Sequence, residues 1–461
     1  MKKSKLYLMI GFLSLSPLGA SANSLQDIYK LALENDAQLK ADRANFEAGK
    51  ESDNIALAAL LPQINAGYNY NDRKNDITDN IPTPPQVYKD NNRKTTGWDV
   101  TLRQPLFDMS AWYIYRQGQK LSAEAEAQFG ADQQSLIVRV AQAYFNVLRS
   151  VDKLEATLAE EDALTHQLDQ TKQRFDVGLI AITEVHEAQA AFDSARAAAL
   201  EARGTLGISF EALEVLTGKA ENQIAPLSDK FPVLNPTPAD RAEWVKFSLT
   251  NNYNLRAAKL RAQAAESNAD ATRAGHYPTV DATLGYSKSD SKGEESYPVP
   301  GEFDNTTEGS SINIALNVPL FSGGGTSSRT RRAVAQELQA RELFNSAERS
   351  TIQNTRALHL SVETDVARVQ ARKQAVVSNQ SALDATQSGY EVGTRNLVEV
   401  LLAQRNLYQA RRNYSDALFD YIINTVRLRE AAGMLTPADV QEVDKWLQIG
   451  SDVSRLKYES N

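Results

Sequence analysis

Four histidines, one glycine-rich turn and a doubled Val-Gly motif are the residues of this chain whose types and spacing bear on chemistry. His166, His186, His276 and His359 keep none of the intervals, such as H-E-x-x-H, that place two imidazoles on one metal ion. They read as helix-surface or turn residues. The run Gly323-Gly324-Gly325-Thr326 lacks the lysine and spacing of a phosphate-cradling G-x-x-x-x-G-K-[ST] loop, and reads as a flexible junction. No G-x-S-x-G nucleophile elbow occurs. A hydrolase would need a nucleophile with a neighbouring base, and no pattern marks one. The expectation is therefore a protein that is not an enzyme, with no cofactor and no metal.

The doubled motif is more informative. "RFDVGLIAITEVHEAQ" at 174–189 is echoed by "GYEVGTRNLVEVLLAQ" at 389–404. Elsewhere "ALENDAQLKADRANFEA" (32–48) matches "SLTNNYNLRAAKLRAQA" (248–264), Leu61-Pro62 matches Tyr277-Pro278, and Pro105-Leu106-Phe107 matches Pro319-Leu320-Phe321. The offset stays between 214 and 216 residues, so two structural repeats are expected. They span 23–224 and 240–435. The Pro-rich linker between them (225–239) cannot be continuous helix. A segment at 436–461 either packs near mid-height or is disordered.

Each repeat holds two alternating stretches. Ile64, Ala66, Tyr68 and Tyr70 share one side of 64–70, and Trp98, Val100 and Leu102 one side of 98–103. Val280, Ala282, Leu284 and Tyr286 do so in 280–286, and Ile312, Ile314, Leu316 and Val318 in 312–318. A period of two predicts strands with one greasy and one polar face. The polar stretches 72–96 and 287–310 read as long hairpin loops.

The remainder is helical by period. Leu136, Ile137, Val140, Tyr144, Val147, Leu148 and Val151 recur on one helical face. Long helices are expected from about 110 to 177 and from about 326 to 392, each ending at a glycine, Gly178 or Gly393, that can take the left-handed conformation closing a helix. Helix resumes near 184 and 399, and Asn396 with Glu399 suits a capping box. Each Val-Gly is thus the tip of a helical hairpin. The first long helix spans ~100 Å at ~1.5 Å per residue. The returning helices, about 184–217 and 399–432, are half as long, and 25–60 and 240–275 supply the missing halves. The linker then falls near mid-height, with strands at one end and tips at the other.

Residues 1–22 carry a basic start at Lys2, Lys3 and Lys5, an apolar run over 6–18 and a small-residue site at Ala20-Ser21-Ala22, the pattern of a removable signal peptide. The run is shorter than the ~20 residues of a spanning helix. Without it the net charge goes from −8 to −11, which argues against nucleic acid and for a solvated or cation-attracting surface. There is no cysteine, so neither a disulfide nor lipid attachment at the cleavage site is available. An exported chain with greasy-faced strands can still cross a membrane as a β-barrel. Four strands cannot close one, since the smallest have ~8, and open edges are forbidden in lipid. Several chains must share a barrel. Two would give eight strands and three twelve, and spacing does not choose. The rival reading is a periplasmic helical adaptor that never enters a membrane.

The hairpin stretches 167–190 and 389–410 and the duplicated strand, Pro-Leu-Phe, helix junctions resemble the outer membrane efflux protein family across about 24–440. The resemblance implies an α+β membrane protein: a homotrimer whose twelve-stranded β-barrel, four strands per chain, sits in outer-membrane lipid. That barrel continues into a long periplasmic α-helical barrel of coiled-coil hairpins. It implies an exit duct for multidrug efflux and type I secretion. The duct docks to a periplasmic membrane-fusion adaptor and an inner-membrane transporter of RND or ABC type. It also implies a polar network that closes the tip. Tyr390 and Arg395 match the family's tyrosine and arginine, Gln167 and Thr183 match two partners, and Glu184 stands where an aspartate is expected. Glu399 likewise replaces an aspartate of an acidic ring at the entrance. Leu402 departs from the pattern, standing where a second acid belongs, and strong cation binding there is in doubt. Plainer readings exist. Glu184 and Glu399 fall in first helical turns, which favour carboxylates, Tyr390 can pack between helices, and Arg395 can be solvated.

Overall fold

The computed structural model describes residues 23–78, 88–295, 301–448 and 453–454. The proposed signal peptide at 1–22, the centres of the two polar stretches (79–87 and 296–300) and parts of the last segment (449–452 and 455–461) lie outside the described residues. In chain order the elements are α1 (Leu25–Asn35), α2 (Ala37–Ala58), β1 (Gln63–Thr78), β2 (Tyr88–Phe107), α3 (Met109–Asp176), α4 (Ile182–Thr217) and β3 (Gln223–Ile224). Then come α5 (Arg241–Asn251), α6 (Tyr253–Ala274), β4 (Thr279–Glu295), β5 (Gly301–Asn317), α7 (Gly325–Glu391), α8 (Leu397–Ala431), α9 (Pro437–Asp444) and β6 (Val453–Ser454). The chain divides into two units, and each draws on both of the expected repeats. One holds 41–131 and 252–351, the other the described residues up to 40, 132–251 and from 352 on.

In the first unit the four long strands form one antiparallel sheet in the order β1-β2-β4-β5. Register decides what its faces carry. Ile64 opposes Leu102, Ala66 opposes Val100 and Tyr68 opposes Trp98. Leu102 and Val100 oppose Leu284 and Tyr286, and Leu284 and Ala282 oppose Ile312 and Ile314. The greasy sides of four separate segments merge into one apolar face, which no other part of the described chain covers. Ile312 is 78 % exposed and Tyr68 73 %. The opposite face carries Asn65, Asp99, Thr101, Thr283 and Asn313, with Arg103 bridged to Asp281 at 3.1 Å.

The strands run well past the alternating segments. Residues 72–78, 88–96, 287–295 and 301–310 are strand, where long loops were expected. Alternation stops because both faces turn polar, yet the backbone ladder needs only hydrogen-bond partners and continues in register. Periodicity reports where one face is greasy, not where pairing ends. The α2–α3 contact in the same unit depends on small residues. A Cβ on Gly118 would stand 2.6 Å from both the Ala56 Cβ and the Ser52 carbonyl oxygen.

The second unit is helical. All seven apolar residues predicted to share one face of α3, from Leu136 to Val151, are buried. Tyr144 donates to the Ala225 carbonyl at 2.6 Å, tying the linker to that core. β3 pairs with β6, and α1 packs on α4 and α9. The expected single helices over 25–60 and 240–275 are each broken, at Asp36 and Asn252. Both side chains accept from a backbone N–H three residues on, Leu39 at 2.6 Å and Leu255 at 2.9 Å. Such short polar side chains satisfy a new helix start better than they continue an old helix. His359 departs from the expected surface placement. It is 1 % exposed, and its ring lies 6.4 Å from that of Trp244.

Asp152 on α3 is mostly buried and accepts from Ser415 at 2.5 Å. Burial, with Glu155, Asp229 and Asp416 nearby, pushes its pKa up to about 6, from an ordinary 3.8. The folded state therefore holds a proton that the unfolded chain has released. Stability is undiminished below pH ~4, falls between ~4 and ~6, and carries the full cost of about 3 kcal/mol above that. Asp152→Asn is expected to raise the unfolding temperature at pH 7.5 and to leave it unchanged at pH 4, as read by thermal melts at the two pH values.

Candidate functional site at the hairpin tips

Two helical turns form the candidate site, both within the helical unit. α3 ends at Asp176. Gly178 has φ +76°, and the Leu179 N–H reaches back to the Arg174 carbonyl at 2.9 Å. α7 ends at Glu391. Gly393 has φ +79°, and the Thr394 N–H donates to the Gly389 carbonyl at 2.8 Å. In each case the left-handed residue lets late amides satisfy carbonyls that the helix end leaves unpaired. Glycine adopts that conformation without the steric cost of a Cβ.

The restart of α8 is built by side chains. The Glu399 N–H donates to Asn396 Oδ1 at 3.0 Å, and the Asn396 N–H to Glu399 Oε1 at 3.4 Å, a reciprocal capping box. The other Glu399 oxygen accepts from Arg395 Nη1 at 2.6 Å. The Arg395 bond, with the Asn396 amide and the Arg395 charge, outweighs a small opposing desolvation and holds the Glu399 carboxyl below its usual range. The α4 restart lacks such a cap. Ala181 stands at its N-cap without a side-chain bond.

Behind the turns all four helices share one apolar cluster. Leu164 and Leu168 come from α3, Ala188 and Ala195 from α4, Tyr390 from α7, and Leu397, Val400 and Leu401 from α8. Tyr390 is the polar member. Its ring carries the Arg174 guanidinium 4.8 Å from the centroid, a cation–π contact. Burial pushes its phenol up, Arg174 opposes that, and the facing Glu184 carboxylate adds to it. Within this chain the Tyr390 hydroxyl, Gln167 Nε2 and Gln404 Oε1 are buried without a hydrogen-bond partner. Two of these are donors and one an acceptor, in one cluster and its helical neighbours.

The structure thus brings Tyr390 and Glu184 together and places Gln167 in the buried layer beside Leu168. Thr183 is exposed at the start of α4. Arg395 turns to Glu399 on its own hairpin, and Leu402 is 49 % exposed beyond that pair. Sequence reasoning missed Arg174 and Gln404. Gln404 repeats Gln189 of the first hairpin, but only packing reveals which glutamine is buried. Among the described residues, no group of three His, Cys, Asp or Glu side chains could hold a metal ion.

Comparison with known proteins locates this architecture. The family model for outer membrane efflux proteins matches residues 28–219 and 244–434. The outer membrane protein TolC of Vibrio cholerae is 36% identical over 428 residues, covering 93% of this chain and 94% of TolC. The alkaline protease secretion protein AprF of Pseudomonas aeruginosa is 31% identical over 445 residues, 96% of this chain and 91% of AprF. The fold matches the crystal structure of the outer membrane protein VceC of Vibrio cholerae with a TM-score of 0.73. That match is at 20% identity and covers 89% of this chain and 96% of VceC.

Proposed function

Because this chain belongs to the outer membrane efflux protein family, we propose that three copies close their sheets into one twelve-stranded barrel and gate the resulting duct at the hairpin tips. The protein is an outer-membrane exit channel serving efflux and type I secretion, and it is not an enzyme. It works with adaptor proteins and inner-membrane transporters. Nothing favours the adaptor-only rival.

The observation that carries the assembly is the uncovered apolar sheet. No helix among the described residues is long and apolar enough to cross a membrane, so the strands must supply the spanning element. From Trp98 to Phe107 the strand climbs nine residues. At ~3.3 Å each and a tilt of ~40° this rises ~23 Å, close to the ~25 Å apolar band of outer-membrane barrels. Trp98, Tyr68 and Tyr286 supply aromatics at one border of the band, and Phe107 and Phe321 at the other. The edges β1 and β5 lack partners in the described chain, and lipid does not tolerate unpaired edges. Joining β5 of one copy to β1 of the next removes every edge.

The two-repeat division fits this reading, with each repeat giving one strand pair and one hairpin. At the tips, Tyr390, Gln167, Thr183, Glu184 and Arg395 form the closing network, and Glu399 lines the entrance as a single acidic ring. Native mass spectrometry in detergent is expected to give three chains, and planar bilayers discrete channel currents. A folded monomer stable in lipid would defeat the proposal. On intact cells, a cysteine at Glu302, where the strands have left the apolar band, should react with an impermeant thiol reagent. Protection there with labelling at the tips would invert the orientation.

A further inference from the structure

The polar face of the sheet carries one rung that differs from its neighbours. Arg73 opposes Arg93, Arg93 opposes Gly293, and Gly293 opposes Phe303. Strand alternation puts all four on the side of Asp99 and Thr101, opposite the apolar face. In the barrel proposed above that side faces the lumen, so the inference rests on that reading. The rung lies remote from the Pro62, Pro105, Pro278 and Pro319 junctions, beyond the apolar band, at the outer mouth.

The neighbouring rung on the other face is charge-balanced. Asp72, Lys94, Lys292 and Asp304 stand in line, and Lys292 bridges Asp304 at 2.9 Å. The lumen-side rung holds two guanidiniums, and among the described residues no carboxylate bridges either. Like charges placed directly opposite across strands destabilise a sheet, and arginine cannot shed its proton. Arg93 is also held in place. The Arg93 guanidinium sits 5.2 Å from the centroid of the Phe303 ring. That ring lies over Gly293, where an added Cβ would come within 2.9 Å of the ring's Cζ. Gly293 leaves room for the ring, and the ring holds the Arg93 guanidinium on the strand that pairs with Arg73.

We propose that Arg73 and Arg93, repeated around the outer mouth, form a lumen-facing binding site for multivalent anions bearing phosphate or carboxylate groups. Two guanidiniums on adjacent strands present forked donors suited to such oxygens. Anionic cargo gains a last attractive station before release, and polyanions outside gain a place to plug the duct.

The test uses the assembled protein in planar bilayers, with inorganic tripolyphosphate added to one chamber at a time. Expected is reversible block from one side only, weakening as salt is raised. Arg73→Gln and Arg93→Gln should each weaken block about tenfold or more, as loss of a charge-assisted bond predicts, and the double variant should abolish it. Phe303→Leu, which keeps both charges, should weaken it about two- to fivefold. Lys94→Gln with Lys292→Gln, on the opposite face, should leave it unchanged. Normal currents with no block in the unaltered protein, or equal block in the double arginine variant, overturn the anion site and leave the duct reading standing. Block lost with the lysines instead assigns the other face to the lumen and overturns the site. Absence of any current overturns the duct and the site together.

Discussion

Tyr390→Phe combined with Arg395→Ser is expected to raise mean single-channel conductance several-fold and to sensitise cells to large antibiotics, with trimer yield unchanged. The expectation follows from how the tip is bonded. Within one chain Arg395 is paired to Glu399 on an exposed helix turn, where solvent and salt screen the pair and leave it little stabilising effect. The larger reserve lies in the buried layer. Tyr390 Oη, Gln167 Nε2 and Gln404 Oε1 lack partners in the single chain, and each buried unpaired group costs ~1–3 kcal/mol. A closed ring that pairs them across hairpins or chains recovers that cost in every protomer. It gives the recovery up when a docking partner draws the hairpins apart. Tyr390→Phe removes the hydroxyl and keeps the ring in its cluster, so assembly should survive. Glu399→Ala should weaken cation preference only modestly, because Leu402 leaves a single acidic ring. Unchanged conductance in the double variant, with intact trimers, would place closure elsewhere in the duct.

Arg139→Ala should destabilise the helical unit by about 3–5 kcal/mol, the usual consequence of stranding a buried charge. The Asp36 side chain is 3 % exposed. It accepts two guanidinium bonds from Arg139, at 2.9 and 3.0 Å, besides capping α2 through Leu39. Burial alone would raise the Asp36 pKa, but the Arg139 bonds, the Leu39 amide and the Arg139 charge outweigh it, and the net result lies below the ordinary value. A carboxyl lowered in this way contributes stability above its unfolded pKa of ~3.9 and loses it as pH falls through the folded value. Without Arg139 burial dominates and the Asp36 pKa rises, so the deficit of Arg139→Ala should be largest near neutral pH and shrink as the variant's carboxyl takes up its proton at lower pH. Adding Asp36→Ala should recover much of it. A melt at pH 7.5 that Arg139→Ala leaves unmoved would show that solvent reaches this carboxylate.

The amino-acid sequence by itself determined the four greasy-faced strand cores, the long helices and the glycine-closed tips, and from it comes the proposal of a duplicated plan. These depend on short-range chemistry: a period of two or 3.6, a proline, a left-handed glycine. It also carried the family resemblance, in the tip motifs and the Pro-Leu-Phe junctions. Strand ends escaped it, because pairing continues through 72–78 and 287–295 after the hydrophobic signal has died. The breaks at Asp36 and Asn252 escaped it too, since the same side chains are tolerated on an exposed helix surface. Only the tertiary structure decided which polar groups are buried and whom they meet. His359 lies against Trp244, Arg395 meets Glu399 rather than the neighbouring hairpin, and Arg174 covers Tyr390. It also set Arg73 against Arg93 on one rung. Apart from the local Arg395–Glu399 pair, these contacts join residues separated by as many as 216 positions, Arg174 to Tyr390, and only the register of packed helices and paired strands brings such residues within reach.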